Sequence, residues 1–264
     1  DPQATESMRP CSVRPTGAPA PTATNTKETS HTPPAERAVM IDYDALAGTL
    51  IVSCQAYPGE PMRTPDTMAR VAAAVVEGGA SAVRAQGLED IRQVKAAVRV
   101  PVIGIWKDGE SGVFITPTLG HARSVAEAGA DIVALDGTRR ERPDGLTFAE
   151  TVRRFRQISE TPLMADCDSV ESAMMAAEAG VEFIGTTLGG YTDARPKVDG
   201  PDLDLVADLV ERLPEHRIIA EGRIHTPAQA AAAASAGAFA VVVGTAITHP
   251  TSITRWFSAA LTGG

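Results

Sequence analysis

The stretch VIGIWKDGE (102–110) runs apolar for five residues and then sets Lys107 down beside Asp108 and Glu110. A lysine closing a buried run either marks the point where a strand meets water or is an amine held at a pocket mouth. In a pocket, burial lowers its pKa and makes it a base or a Schiff-base nucleophile. Other apolar runs end in the same way, on Gln55, Arg84, Asp136, Asp166, Thr186 with Thr187, Glu221 and Thr245. Each alone fits a solvated strand end. Five of these eight ends are charged, and a fold that gathers them on one rim equips it for proton transfer. Cys54 and Cys167 also fall near run ends. Facing thiols could hand a proton across a carbon, whereas a small buried filler is the ordinary role of such a cysteine.

A second cluster lies in AEGRIHTP (220–227) and VVVGTAITHP (241–250), where Gly222 and Gly244 each end an apolar run before a turn. Glycine lets backbone N–H groups approach an anion, and barrels commonly hold phosphate at the loops after their last two strands. Arg223, Thr245 and the residues after Ala246 stand in those loops.

The elements that would position these groups are legible from Asp42 onward. Short apolar runs at 49–55, 82–85, 102–106, 131–136, 163–166, 183–187, 218–222 and 240–244 lack alternation, as strands covered on both faces do. Between them lie Ala-rich segments of helical period, several opened by Thr, Ser or Asp and closed by Gly. Eight strand–helix repeats over about 220 residues predict a closed (β/α)8 TIM barrel spanning 39–264. An open doubly wound sheet is the alternative, but no G-x-G-x-x-G follows the first run. Residues 1–38 are rich in Pro, Thr and Ala and predict a disordered tail; Glu6, Glu28 and Glu36 argue against a transit peptide.

Bulk composition narrows the partners. A net charge of -9 and only 4% aromatic residues argue against a nucleic-acid binder. No apolar stretch approaches the roughly 20 residues that span a bilayer, and the first residues hold no secretory h-region. Three cysteines, Cys11, Cys54 and Cys167, are too few and too scattered for a disulfide framework or a zinc site, so a cytoplasmic protein without a metal is expected.

The motifs LIVSCQAYPGEP, VRAQG, PVIGIWK, ALDGTRRERPDG, LMAD, GTTLGGYT, IIAEGRIHTP and VVVGTAIT, taken in order over about 48–257, resemble the bacterial N-acetylmannosamine-6-phosphate 2-epimerase family. The resemblance implies a small phosphorylated amino sugar as substrate, inverted at C2 to N-acetylglucosamine 6-phosphate in sialic acid breakdown, with no cofactor. It implies catalysis by Lys107 with Glu221 and Asp166. Gln55, Arg84 and the Gly222 and Gly244 loops, with Arg223 and Thr245, match the family's substrate-binding positions; Thr186, from its place at a strand end, and His249 are expected beside them. Family members usually carry Arg, as a phosphate-side ligand, where this chain has His249; an imidazole donates once where a guanidinium donates as a fork. A homodimer is compatible with this reading. The alternatives are a Schiff-base aldolase on the same barrel and a non-catalytic sugar-phosphate sensor. For C2 chemistry the ring must open first, because the C2–H is acidic only beside an aldehyde. Lys107 would then need its pKa brought from about 10.4 toward ~7–8.

Overall fold

The computed structural model describes residues 41–262. The tail expected over 1–38, and Cys11 within it, lie outside the described residues. Eight parallel strands close into a barrel in chain order: β1 (Thr49–Cys54), β2 (Ala82–Gln86), β3 (Val102–Ile105), β4 (Ile132–Asp136), β5 (Leu163–Asp166), β6 (Phe183–Gly185), β7 (Arg217–Glu221) and β8 (Ala240–Val243). β8 returns to pair with β1, matching Thr49 with Ala240 and Val52 with Val243, so neither strand is left as an edge. The expected strands are all present: β5 keeps its expected bounds, β2 runs a residue further, β7 is shifted a residue earlier, and the others are shorter by a residue or two. β6 is the one cut most, ending at Gly185 and leaving Thr186 and Thr187 in the following loop.

Seven helices cross between the strands: α1 (Pro65–Glu77), α2 (Leu88–Ala97), α3 (Leu119–Glu127), α4 (Phe148–Phe155), α5 (Val170–Glu178), α6 (Leu203–Arg212) and α7 (Pro227–Ser235). Their starts are fixed locally. The side chains of Thr64, Thr118, Thr147, Ser169, Asp202 and Thr226 each accept from an N–H in the first turn. Such a cap contributes about 1 kcal/mol relative to alanine. After β8 come a four-residue helix, α8 (Thr245–Thr248), and a longer one, α9 (Pro250–Thr262).

Because strand side chains alternate, each strand feeds two separate cores. Ile51, Ile103, Ile132, Met164, Phe183, Ile219 and Val242 point inward and fill the barrel. Val52, Val83, Val133, Leu163 and Ile184 point outward and meet the helices. A 3-10 turn at Tyr43–Leu46 stoppers the end where the strands begin: Leu46 joins the inner core and Tyr43 packs edge-on against Phe183. Burial of this kind stabilises by roughly 1.5–3 kcal/mol per large side chain. The inward positions at the opposite, C-terminal ends of the strands carry polar groups in place of aliphatic ones, and there the barrel opens into a cavity.

Candidate active site

The cavity measures about 380 Å3 and sits at the C-terminal ends of the strands, within the ordinary range for a small-molecule site. Its floor is a buried ion-pair cluster. Arg84, on β2, is 1% exposed. Its guanidinium donates through Nη1 to Asp166 Oδ1 at 2.9 Å, through Nη2 to Asp166 Oδ2 at 2.5 Å, and through Nη1 to Glu221 Oε2 at 2.9 Å. Thr187 adds its hydroxyl to Asp166 Oδ1 at 2.6 Å and to Glu221 Oε2 at 3.3 Å. Gly185 makes room for the cluster. A Cβ there would stand 2.5 Å from Met164 Cε and 3.0 Å from Thr187 Oγ1.

Lys107 and Glu221 rise from this floor into the cavity. They follow β3 and end β7, four strands apart around a ring of eight, and so enter from opposite walls. Burial pulls the Lys107 pKa from its ordinary 10.5 down to about 8; the Arg84 charge pulls the same way, and Glu221 and Asp166 resist. Glu221 moves in the other direction. Burial raises its carboxyl, Arg84 opposes that, and the Asp166 charge adds to the rise. Burial also acts against the Arg84 cation, but Asp166 and Glu221 outweigh it and hold the guanidinium above its usual range. The ring face of Tyr57 covers the amine, with Lys107 Nζ 5.9 Å from its centroid.

Gln55 lines the same wall and donates through Nε2 to Ser53 Oγ at 2.7 Å. Across the cavity, Gly222, Arg223, Gly244 and Thr245 line the second end. Gly222 has φ of 112°, a left-handed conformation in which a side chain is strained. Arg223 follows at φ 54° and anchors the loop after β6, donating through Nε to Gly200 O at 2.8 Å and through Nη1 to Gly189 O at 2.7 Å. The first-turn N–H groups of Thr245 and Ala246 have no intrahelical acceptor, so they remain available to an anion.

Several expectations need correcting. Thr186 does not reach the cavity: its hydroxyl donates to Glu221 O and accepts from Glu221 N–H, both at 3.0 Å, and Thr187 takes the lining position. Phe183 sets the inward parity of β6, which Gly185 and Thr187 share, while Thr186 falls with Ile184 on the outward side. Asp166 is fully buried with both oxygens engaged, which suits it to holding Arg84 rather than to moving protons. Arg84 likewise lies beneath the cavity wall, where its guanidinium is held by Asp166 and Glu221. His249 lines the cavity, but both ring nitrogens are taken, Nε2 by Glu60 Oε1 at 2.6 Å and Nδ1 by Ser252 Oγ at 2.7 Å. It braces the loop after β1 and has no ring nitrogen left for a phosphate. Asp136 is buried and caps its own loop through Thr138 and Arg140. Cys54 and Cys167 belong to the outer core beneath the helices, and burial pushes Cys54 up to about 12 and Cys167 well above its ordinary value. A facing thiol pair is thereby excluded.

Ser53, Tyr57 and Arg140 line the cavity without having been anticipated, and Tyr191, whose place the sequence left open, lines it too. Ser53 was within reach of sequence reasoning, since it shares the inward parity of Gln55. The others come from loops whose course no periodicity predicts.

Comparison with known proteins bears on this geometry directly. The family model described as "Putative N-acetylmannosamine-6-phosphate epimerase" matches residues 68–263. A Cutibacterium acnes protein of that family is 63% identical over 218 residues, covering 82% of this chain and 95% of its own. A Corynebacterium glutamicum relative is 48% identical over 222 residues, covering 83% and 95%. The solved N-acetylmannosamine-6-phosphate 2-epimerase from Clostridium perfringens superposes with a TM-score of 0.79 at 36% identity, over 82% of this chain and 95% of that one. The same barrel and a match spanning most of its length leave one assignment: the chain belongs to the N-acetylmannosamine-6-phosphate 2-epimerase family.

Proposed function

We propose that this enzyme interconverts N-acetylmannosamine 6-phosphate and N-acetylglucosamine 6-phosphate by moving a proton at C2 of the ring-opened sugar. Family membership favours this over an aldolase or a sensor. The observation that carries the mechanism is the pairing of Lys107 and Glu221 on opposite walls of one cavity, with environments that push one pKa down and the other up.

Inversion takes a proton from one face of C2 and returns one to the other, either with Lys107 and Glu221 each serving a face or with Lys107 serving both after the intermediate rotates; the opposed pair favours the first. The working state is therefore a neutral amine facing a protonated carboxyl. In water that state is rare, because lysine and glutamate titrate about six pH units apart. Here burial lowers Lys107 to about 8 and raises Glu221, so the two environments favour the neutral pair over what it would be in water. As C2 loses its proton, charge moves onto O1. The Arg84 cation beneath the wall and the Lys107 amine supply the positive field that an oxyanion requires. The phosphate end falls to Gly222, Gly244, Thr245 and Arg223, whose Nη2 is uncommitted among the described residues. With the anion fixed there, the opened chain extends toward Lys107.

Two measurements test this. Proton NMR in D2O should show C2 exchange with the wild-type enzyme and none with Lys107→Ala; exchange at the wild-type rate in the variant refutes the role of the amine. The pH profile separates the schemes. A shared proton between Lys107 and Glu221 makes kcat/KM bell-shaped: level from the raised carboxyl pKa up to pH 8, falling above it as the pair loses that proton and falling at acid pH as it gains a second. A profile that instead climbs to a plateau near pH 8 means that Lys107 works alone.

The homodimer is part of the same proposal. Among the described residues α9 buries none of its side chains and exposes Trp256, Phe257 and Leu261. A bare apolar face of this kind is ordinarily covered, and a second copy is the occupant proposed here.

A further inference from the structure

Lys107 is held by a turn that belongs to no strand or helix. Past β3 the chain runs through Trp106, Lys107 and Asp108, reverses, and returns through Phe114, Ile115 and Thr116 as a small antiparallel hairpin. Lys107 pairs with Ile115, and the Asp108 N–H donates to Phe114 O at 3.0 Å. Ile115 O accepts from the Asp136 N–H at 2.9 Å, which ties the hairpin to the end of β4. The structure gives Lys107 Nζ no hydrogen-bond partner among the described residues. Its direction is therefore set by its backbone and by the cavity walls.

The hairpin closes on a residue that resists its own conformation. Thr116 is fully buried, has φ of 45° and precedes Pro117. β-branched residues avoid the left-handed region, and a following proline disfavours helical backbone further. Glycine would relieve the strain. Threonine supplies what glycine lacks: its Oγ1 accepts from the Trp106 N–H at 3.1 Å, while its own N–H donates to Trp106 O at 2.8 Å. Both polar backbone groups of the residue before Lys107 are gripped by one side chain and one peptide. On the other flank, His121 bridges Asp108 Oδ2 at 3.1 Å and Thr118 Oγ1 at 2.6 Å, with its ring 4.4 Å from that of Trp106.

We propose that Thr116 is a positioning residue for Lys107: its hydroxyl, held in the left-handed conformation, fixes the Trp106 backbone so that the amine stands in the cavity across from Glu221. Displacing a reacting group by about 1 Å is enough to lose on the order of 100-fold in rate. The kinetic readout rests on the epimerase reading; the labelling readout below does not.

The test compares Thr116→Val, which keeps the shape and removes the hydroxyl, with Thr116→Gly, which removes strain and hydroxyl together, and Thr116→Ser, which keeps the hydroxyl. The Val and Gly variants should lose ~10- to 100-fold in kcat with KM little changed, and Ser should restore most of it. Thr116→Gly keeps the question open to measurement if the Val variant does not fold. In parallel, acetic anhydride labelling of Lys107 against pH, read by peptide mass spectrometry, should give a midpoint near 8 in the wild type and a higher one in the Val and Gly variants, as the amine gains water. Unchanged kcat and an unchanged labelling midpoint in Val and Gly overturn the proposal, as does a Ser variant as impaired as Val. A wild-type chain without C2 exchange would sink the epimerase reading and leave the labelling comparison to decide on Thr116.

Discussion

A lysine whose pKa is pulled from 10.5 to about 8 weakens the fold that holds it, and Lys107→Met should reveal by how much. Below pH 8 the amine is protonated in both folded and unfolded chains, and burial penalises only the folded one. A depression of about 2.5 pH units corresponds to roughly 3.4 kcal/mol at 1.36 kcal/mol per unit. Lys107 keeps some contact with water at the cavity mouth, so the expected gain from replacing it is about 2–3 kcal/mol. For a barrel of this size that raises Tm by roughly 5–10 °C. The sign follows from proton counting. Between pH 8 and 10.5 the unfolded chain keeps a proton that the folded chain has released, so wild-type stability rises with pH across that window. The methionine variant lacks the rise. The stability difference should be full at pH 7 and should vanish toward pH 10.5. Urea unfolding at pH 7, 9 and 10 measures it. A variant no more stable than wild type at pH 7, or a difference that does not shrink with pH, would show that Lys107 is not under this strain and that its pKa is ordinary. The variant should also be inactive, so that one substitution separates stability from catalysis.

Other substitutions probe the floor and the surface. Gly185→Ala places a methyl group against Met164 Cε and Thr187 Oγ1; it should destabilise by about 1–3 kcal/mol in thermal melts and lower kcat by disturbing the partners of Asp166. Normal kcat and Tm would mean that the floor is slack. Phe257→Asp puts a charge on the bare face of α9 and should convert a dimer to a monomer in light scattering, whereas an unchanged mass would place the interface elsewhere.

Much of this protein is local information. The apolar runs read as strands covered on both sides, because nothing in them alternates; the capped Ala-rich segments read as helices; and eight repeats of the pair favoured a closed barrel over an open doubly wound sheet. Gly222, Gly244 and the run ending at Lys107 were visible because chain order places strand ends on one rim of such a barrel. The direction of individual side chains was not. Thr187 rather than Thr186 faces the cavity because Phe183 fixes the inward parity of β6, a choice made by packing inside the barrel. Asp166 looked catalytic from its position, but Arg84, 82 residues away in the chain, claims both of its oxygens. His249 has its ring nitrogens taken by Glu60 and Ser252. The sequence alone determined the barrel and the kinds of group on its rim, since hydrophobic period and caps act over a few residues. Only the tertiary structure decided which of those groups face the cavity and at what pKa, because burial and charge are set by atoms brought together from all around the ring.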